Sequence, residues 1–410
     1  MVAKAYHSYT SSFKGLSKEV WLLSAVTLIN RAGTTLVPFL SLFLTEDRGF
    51  ELQDVAWIMS AYGAGSIVGS WAGGKLIDRY GFHPVIFYSL LISGLMFIGL
   101  QWMETFLSFS IGIFVLTCVA DASRPASMVA ITAYSSPENR TRSLTLLRLA
   151  INLGFSFGPA MGGIFIAAFG YAVLFWADGV TCITAALLFL FLLDRKSATS
   201  DSGKENAPQN RSPYKDVPFL IFTVICFVTG FVFLQFLASM PLFYRQVHLL
   251  SEQSIGWLLG MNGVLIFLFE MPFIKYYEES KQSVFRILIQ GTILLMISFL
   301  LLNLTSWSGI LIVGMFFMTV GEMLLFPFMT TFAMNRADKG KSGAYMGLFS
   351  MTFSFSHIFG LNGGLQMVDK IGYQSTWFIM AALLLLVIGL IFFLKRKINR
   401  EMAETALVNG

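Results

Sequence analysis

Twelve stretches of this 410-residue chain are each apolar over the length a helix needs to cross a lipid bilayer, about 20 residues. They run roughly 19–44, 53–75, 83–103, 106–133, 142–168, 171–193, 217–245, 252–275, 284–303, 308–334, 342–368 and 373–394. In hydrocarbon every backbone N–H and C=O must be paired within the chain, and a helix does this alone. A membrane barrel would instead show alternation over short strands of about ten residues. Composition agrees. Charged residues make up 12% and the mean hydropathy is +0.70, whereas a soluble domain carries about 25% charged residues. An ordinary soluble enzyme, a disordered chain, a collagen-like fibre and a disulfide-stapled domain are thereby excluded. Cys118, Cys182 and Cys226 all lie in apolar stretches and read as small buried hydrophobes.

The basic residues set the expected orientation. Of 28 Lys and Arg, 22 fall in the N-terminal segment, in alternate connections and in the C-terminal segment. Three (Arg48, Arg245 and Lys370) fall in the other connections, and Arg31, Arg124 and Arg148 lie within spans. The positive-inside rule then places both termini in the cytoplasm, as an even number of crossings requires. The expected location is the cytoplasmic (inner) membrane, with the lipid bilayer as the surrounding partner. The net charge of +5 does not point to nucleic acid, because the basic residues sit between apolar segments rather than on one face. Residues 1–18 lack the apolar core and cleavage site of a signal peptide, so the N-terminus is expected to be retained.

One long polar connection, residues 195–216, divides the chain into an N-terminal bundle of six spans (1–194) and a C-terminal bundle of six (217–410). Its Ser, Pro, Gly, Asn and mixed charge read as a flexible linker. The halves resemble each other at a nearly constant offset. At 200, Trp57-Ile-Met-Ser-Ala-Tyr-Gly63 faces Trp257-Leu-Leu-Gly-Met-Asn-Gly263, Lys75 faces Lys275 and Asp78 faces Glu278. At 201, FSFGPAMGG (155–163) faces SHIFGLNGG (356–364) and Asp121 faces Glu322. Transporters are often built from such repeats.

The connection after the second span, GGKLIDRYGFHP (73–84), resembles the loop signature of the major facilitator superfamily through Gly74, Leu76, Asp78, Arg79 and Gly81. The fifth span, NLGFSFGPAMGG (152–163), is similar to a signature of that superfamily's drug–proton antiporter branch through Gly154, Gly158, Pro159, Gly162 and Gly163. The resemblance implies an all-α membrane fold of two pseudo-symmetric six-helix bundles around a central cavity. It further implies proton-coupled antiport of the multidrug-efflux kind. Gly158 and Pro159 remove side-chain bulk and one backbone donor, so this motif is expected to bend the fifth span and let it pack closely. Gly74, Asp78 and Arg79, with Arg124 and Arg148, are expected to form a charged latch at the cytoplasmic helix ends.

Ionisable residues deep in a bilayer cost several kcal/mol unless paired or wetted, so they are functional candidates. At about 1.5 Å of rise per residue, Arg31, Asp121 and Glu322 all lie near the midplane. In the resembled fold, the spans that carry them line the cavity. We expect Arg31 to pair with Asp121, and Asp121 and Glu322 to carry protons; the alternatives are a fixed ion pair and an acid that only braces the bend at Pro327. Glu270 lies nearer the cytoplasm and reads as a second proton site or a gate partner. His357, Asn262 and Gln235 are candidate substrate ligands, against the alternative of polar contacts between helices. Asp178, near the outer end of span six, reads as structural. The 41 Phe and 20 Met offer an adaptable apolar surface if they line a cavity.

Other classes fit less well. The four histidines, at 7, 83, 248 and 357, show no metal-ligand spacing, and no phosphate-binding glycine loop occurs. No enzyme activity, cofactor or metal is expected. The sequence therefore reads as a monomeric secondary transporter of small, lipophilic molecules, with a dedicated carrier of one solute class (a peptide, metabolite or lipid-like molecule) as the alternative.

Overall fold

The computed structural model describes residues 13–36, 39–40, 43–195, 212–250, 252–304, 307–338 and 340–409. Residues 196–211, the greater part of the expected linker, lie outside them. Helices α1 (Lys18–Ala32), α2 (Leu52–Tyr80), α3 (Phe82–Leu100), α4 (Phe106–Tyr134), α5 (Arg140–Phe169) and α6 (Ala172–Leu192) come first. Then follow α7 (Val217–Gln246), α8 (Glu252–Glu279), α9 (Val284–Leu301) and α10 (Gly309–Ala337). The remaining helical run, Ser342–Asn409, is divided at Gly372, whose φ of 75° is left-handed. We number its parts α11 (342–371) and α12 (373–409). No β-strand forms among the described residues.

Among the described residues, twelve helices thus stand where the twelve apolar stretches lie, with ends that differ where sequence polarity and helicity part company. Among the described residues, eight helical stretches are long and apolar enough to cross a membrane on those criteria alone. Span one is not a continuous helix: α1 stops at Ala32, and a π-helical turn follows at Phe43–Asp47. Helix α12 runs well past 394, the end of its apolar stretch, into the charged segment Lys395–Glu401.

Contacts group the described residues into two units. The first comprises Lys14–Asn210 with Ala337–Met351, and the second Arg211–Arg336 with Thr352–Gly410. Within the first unit the main pairings are α2 with α4, α3 with α6 and α1 with α5. Helices in lipid gain little from apolar burial and associate through close packing. Glycine makes this possible. A Cβ built on Gly65, Gly69 or Gly73 would lie 2.4, 2.3 and 2.7 Å from backbone atoms of Phe114, Cys118 and Ala122, so α2 lies directly on the α4 backbone. At one end of the unit, the ring of Phe43 meets that of Phe175 edge-on at 5.0 Å and lies 5.9 Å from Phe109.

Candidate functional site

The first polar centre arises from the break in span one. Gly33–Thr35 leave the helical path, so the amides that follow lose their usual carbonyl partners. Asp178 on α6, buried, replaces them: it accepts from Thr35 N at 2.8 Å, Thr35 Oγ1 at 2.5 Å and Leu36 N at 3.2 Å. A carboxylate suits this place because a helix restarting at Leu36 presents positive backbone dipoles. The structural role expected for Asp178 is therefore specific, and the residue fastens α6 to the broken helix.

The glycines of the NLGFSFGPAMGG motif pack on the same break. A Cβ on Gly154 would lie 2.4 Å from Arg31 Cβ, one on Gly158 2.6 Å from the Thr34 carbonyl oxygen, and one on Gly162 2.8 Å from the Phe39 ring. Pro159 and Gly163 occupy helical positions whose side chains fall outside the described residues.

Beside the break is a cavity of about 70 Å³. By the measure of about 10–15 Å³ per water, it has room for several water-sized groups. It is lined by the polar side chains of Asn30, Arg31, Tyr62 and Asp121 and by the apolar ones of Leu36, Phe97 and Leu116, among others. Asn30 Nδ2 donates to Cys182 Sγ at 3.1 Å. Asp121 Oδ1 pairs with Arg124 Nε at 2.9 Å, one turn along the same helix. The cationic partner that Asp121 has here is Arg124, a residue expected in the latch. Three residues apart on α4, the two side chains share one helical face. Asp121 Oδ2, also buried, accepts no hydrogen bond from the described residues.

The second unit holds the other centre. Glu322 is the fourteenth residue of the 29 in α10 and is buried. Asn262 of α8 donates through Nδ2 to Glu322 Oε2 at 2.9 Å and to Thr319 Oγ1 at 3.1 Å. The sequence repeat foreshadows the arrangement. Asn262 corresponds to Tyr62 at an offset of 200 and Glu322 to Asp121 at 201, and Tyr62 and Asp121 share the cavity of the first unit. Glu270 is fully buried two turns farther along α8. Gln235 is committed to helix packing: its amide donates to Phe231 O at 3.0 Å and Gly360 O at 2.9 Å and accepts from Ser239 Oγ at 2.6 Å. His357 is exposed on α11.

The loop motif acts through its carboxylate. Asp78 accepts from the backbone N–H groups of Gly343 at 2.8 Å and Ala344 at 2.9 Å, the first turn of α11. Partial burial pushes the Asp78 carboxyl up, while these amides and Lys341 pull it down. Gly74 brings the backbones together, since its Cβ would lie 2.5 Å from Gly343 O and 3.0 Å from Gly347 Cα. Arg79 lies over the Tyr80 ring, 5.2 Å from its centroid. Arg148 sits half-buried on α5, two turns beyond Arg140, which pairs with Asp338 at 2.5 Å.

One cluster was not anticipated from sequence. Asp216, which also caps α7 by accepting from Phe219 N at 3.2 Å, binds Arg336 at the end of α10 in a fork of 2.7 and 2.8 Å. Arg336 also meets Glu401 of α12 at 2.9 Å. The carboxylates of Asp216 and Glu401 offset the cost of burying the guanidinium. The only sequence signal was the stretch of helix-compatible charge beyond residue 394.

A family model for the Major Facilitator Superfamily matches residues 20–361. The chain belongs to the Major Facilitator Superfamily. It is accordingly a multi-pass membrane transporter and not an enzyme. Among superfamily relatives, the MFS-type transporter YttB of Bacillus subtilis is 23% identical over 380 residues, covering 90% of this chain and 94% of its own. The multidrug resistance protein MdtH of Proteus mirabilis is 24% identical, covering 82% and 83%. The crystal structure of the human organic anion transporter MFSD10 shares the superfamily fold with a TM-score of 0.73 at 15% identity, covering 91% of this chain and 98% of that one.

Proposed function

We propose that this superfamily member is a proton-coupled secondary transporter that moves small, lipophilic molecules across the cytoplasmic membrane by alternating access, in exchange for protons. The observation that carries the reading is Glu322, a carboxyl in the middle of α10, buried and hydrogen-bonded by the neutral amide of Asn262. A neutral amide can serve either protonation state of an acid by turning its N–H or C=O toward it. A group so placed can take up and release a proton without the neighbouring helices coming apart. Asp121 and Glu270 are the further proton-coupling candidates. Asp121 is already tied to Arg124 in a salt bridge, whereas Asn262 holds Glu322 without a charge, so we take Glu322 as the primary carrier.

Asp78 on the first turn of α11 supports a latch. A carboxylate at a helix N-terminus is held by both hydrogen bonds and the helix dipole, and its release would accompany the change of access. Similarity to the multidrug resistance protein MdtH supports efflux. The excess of Lys and Arg in one set of connections supports cytoplasmic termini. A second reading, a dedicated carrier of one solute class, is favoured by the cavity of the first unit, which at about 70 Å³ is small and is lined by charged as well as apolar residues.

The test is solute flux in proteoliposomes under an imposed pH step, with a panel of lipophilic compounds. Flux that collapses when a protonophore dissipates the gradient is expected. Flux indifferent to the gradient would overturn the coupling, and response to one chemical class alone would favour the dedicated carrier.

A further inference from the structure

The far end of α12 carries a basic face that continues a lipid-facing stripe. Within the apolar part of the helix, Leu385, Leu386, Phe392 and Phe393 are exposed, and their spacing puts them on one side. Leu384, Val387, Ile391 and Leu394, on the other side, are buried. In a membrane transporter an exposed apolar stripe of this kind meets lipid. Arg396 and Arg400 extend the same stripe, three and seven residues beyond Phe393, and both are exposed. At a rise of 1.5 Å per residue they stand about 5 and 10 Å farther along the axis, where headgroups about 5–8 Å deep replace hydrocarbon. Four of the six residues 395–400 are Lys or Arg, and none is acidic.

The adjacent acid, Glu401, is committed elsewhere. It meets Arg336 of α10 at 2.9 Å, and Arg336 is held in turn by its fork to Asp216. The extension is thereby fastened on its inner side, one residue past Arg400, and its basic face needs little ordering when a ligand arrives. Residues four apart on a helix are neighbours, and a guanidinium matches phosphate oxygens in pairs. We propose that Arg396 and Arg400, with Lys395 beside them, bind the phosphate of an anionic phospholipid in the leaflet that this end of α12 meets. A zwitterionic lipid offers the same phosphate but carries its own ammonium, so a headgroup of net negative charge is preferred. The assignment is independent of what the protein transports and of how protons are coupled.

The experiment uses the full-length protein in detergent, with lipid adducts counted by native mass spectrometry. The probes are dioleoylphosphatidylglycerol and dioleoylphosphatidylcholine, which differ only in the headgroup. The wild-type protein is expected to hold the anionic lipid about 5-fold or more tightly than the zwitterionic one. Arg396→Gln should weaken the anionic lipid about 5-fold, and Arg396→Gln with Arg400→Gln about 30-fold, leaving the zwitterionic lipid unchanged. Lys14→Gln with Lys18→Gln removes the same charge from exposed positions elsewhere and should leave the preference intact. Equal retention of the two lipids by the wild-type protein overturns the assignment, as does an equal loss in the Lys14 and Lys18 variant. Displacement of the anionic lipid by millimolar inorganic phosphate would mark a site for free anions and overturn it too. The lipid comparison and the phosphate competition need no variant, so they decide the matter even where a substitution prevents folding.

Discussion

Replacing Asp216 with leucine probes the buried charge cluster of the second unit most sharply. Side-chain exposure is 2% for Asp216 and 5% for Arg336, so water can scarcely replace the lost carboxylate. Breaking a buried pair by removing one partner leaves an uncompensated charge and costs about 3–5 kcal/mol. Loss of the α7 cap at Phe219 N adds about 1 kcal/mol. Glu401 remains on Arg336 with a side chain 24% exposed, and it offsets part of the loss. The net expectation is destabilisation of about 3 kcal/mol. Replacing both residues with leucine should recover most of it, because two apolar groups leave no buried charge. Reversible unfolding in mixed detergent micelles, followed by tryptophan fluorescence, measures all three states. A single variant as stable as wild type, or a double variant no better than the single, would refute the reasoning.

Two other contacts give equally direct expectations. Gly158→Ala places a methyl 2.6 Å from the Thr34 carbonyl and should cost about 1–3 kcal/mol through forced backbone shifts. Gly99→Ala, which meets nothing within 4 Å, should leave the same unfolding transition unchanged or stabilise it. Asp78→Asn removes the charge at the start of α11 and should weaken docking by about 1–2 kcal/mol. Amide exchange at Gly343 and Ala344 should then rise about 5- to 30-fold, and unchanged protection would exclude the latch.

The helices were legible because the bilayer leaves so few alternatives. A run of about 20 apolar residues has one way to satisfy its backbone, so hydropathy and helicity coincide over most of the chain. They diverge where polar contacts decide. The break after Ala32 hides inside the apolar stretch 19–44 because what stabilises it, Asp178, lies more than 140 residues away. Conversely, α12 continues past its apolar stretch because Glu401 is anchored on Arg336. The site was legible in its residues and less so in its pairings. Depth along the spans singled out Asp121 and Glu322 as candidates, and both side chains are buried. Reading Arg124 by depth alone missed its pairing with Asp121, although the spacing of three already allowed one helical face. Asn262 was aligned with Tyr62 in the repeat, and that register held the hint that each faces the acid of a neighbouring helix. Gln235 looked available in sequence because the packing of α7 on Gly360 of α11 is invisible there.

The decisive measurement is transport by Glu322→Gln in proteoliposomes, with pH-driven flux and gradient-free counterflow of one solute recorded on the same preparation. Glutamine keeps the size of the side chain and a hydrogen-bonding carbonyl for Asn262 but carries no exchangeable acid proton. The account predicts loss of the pH-driven component with counterflow retained. Undiminished pH-driven flux would contradict it.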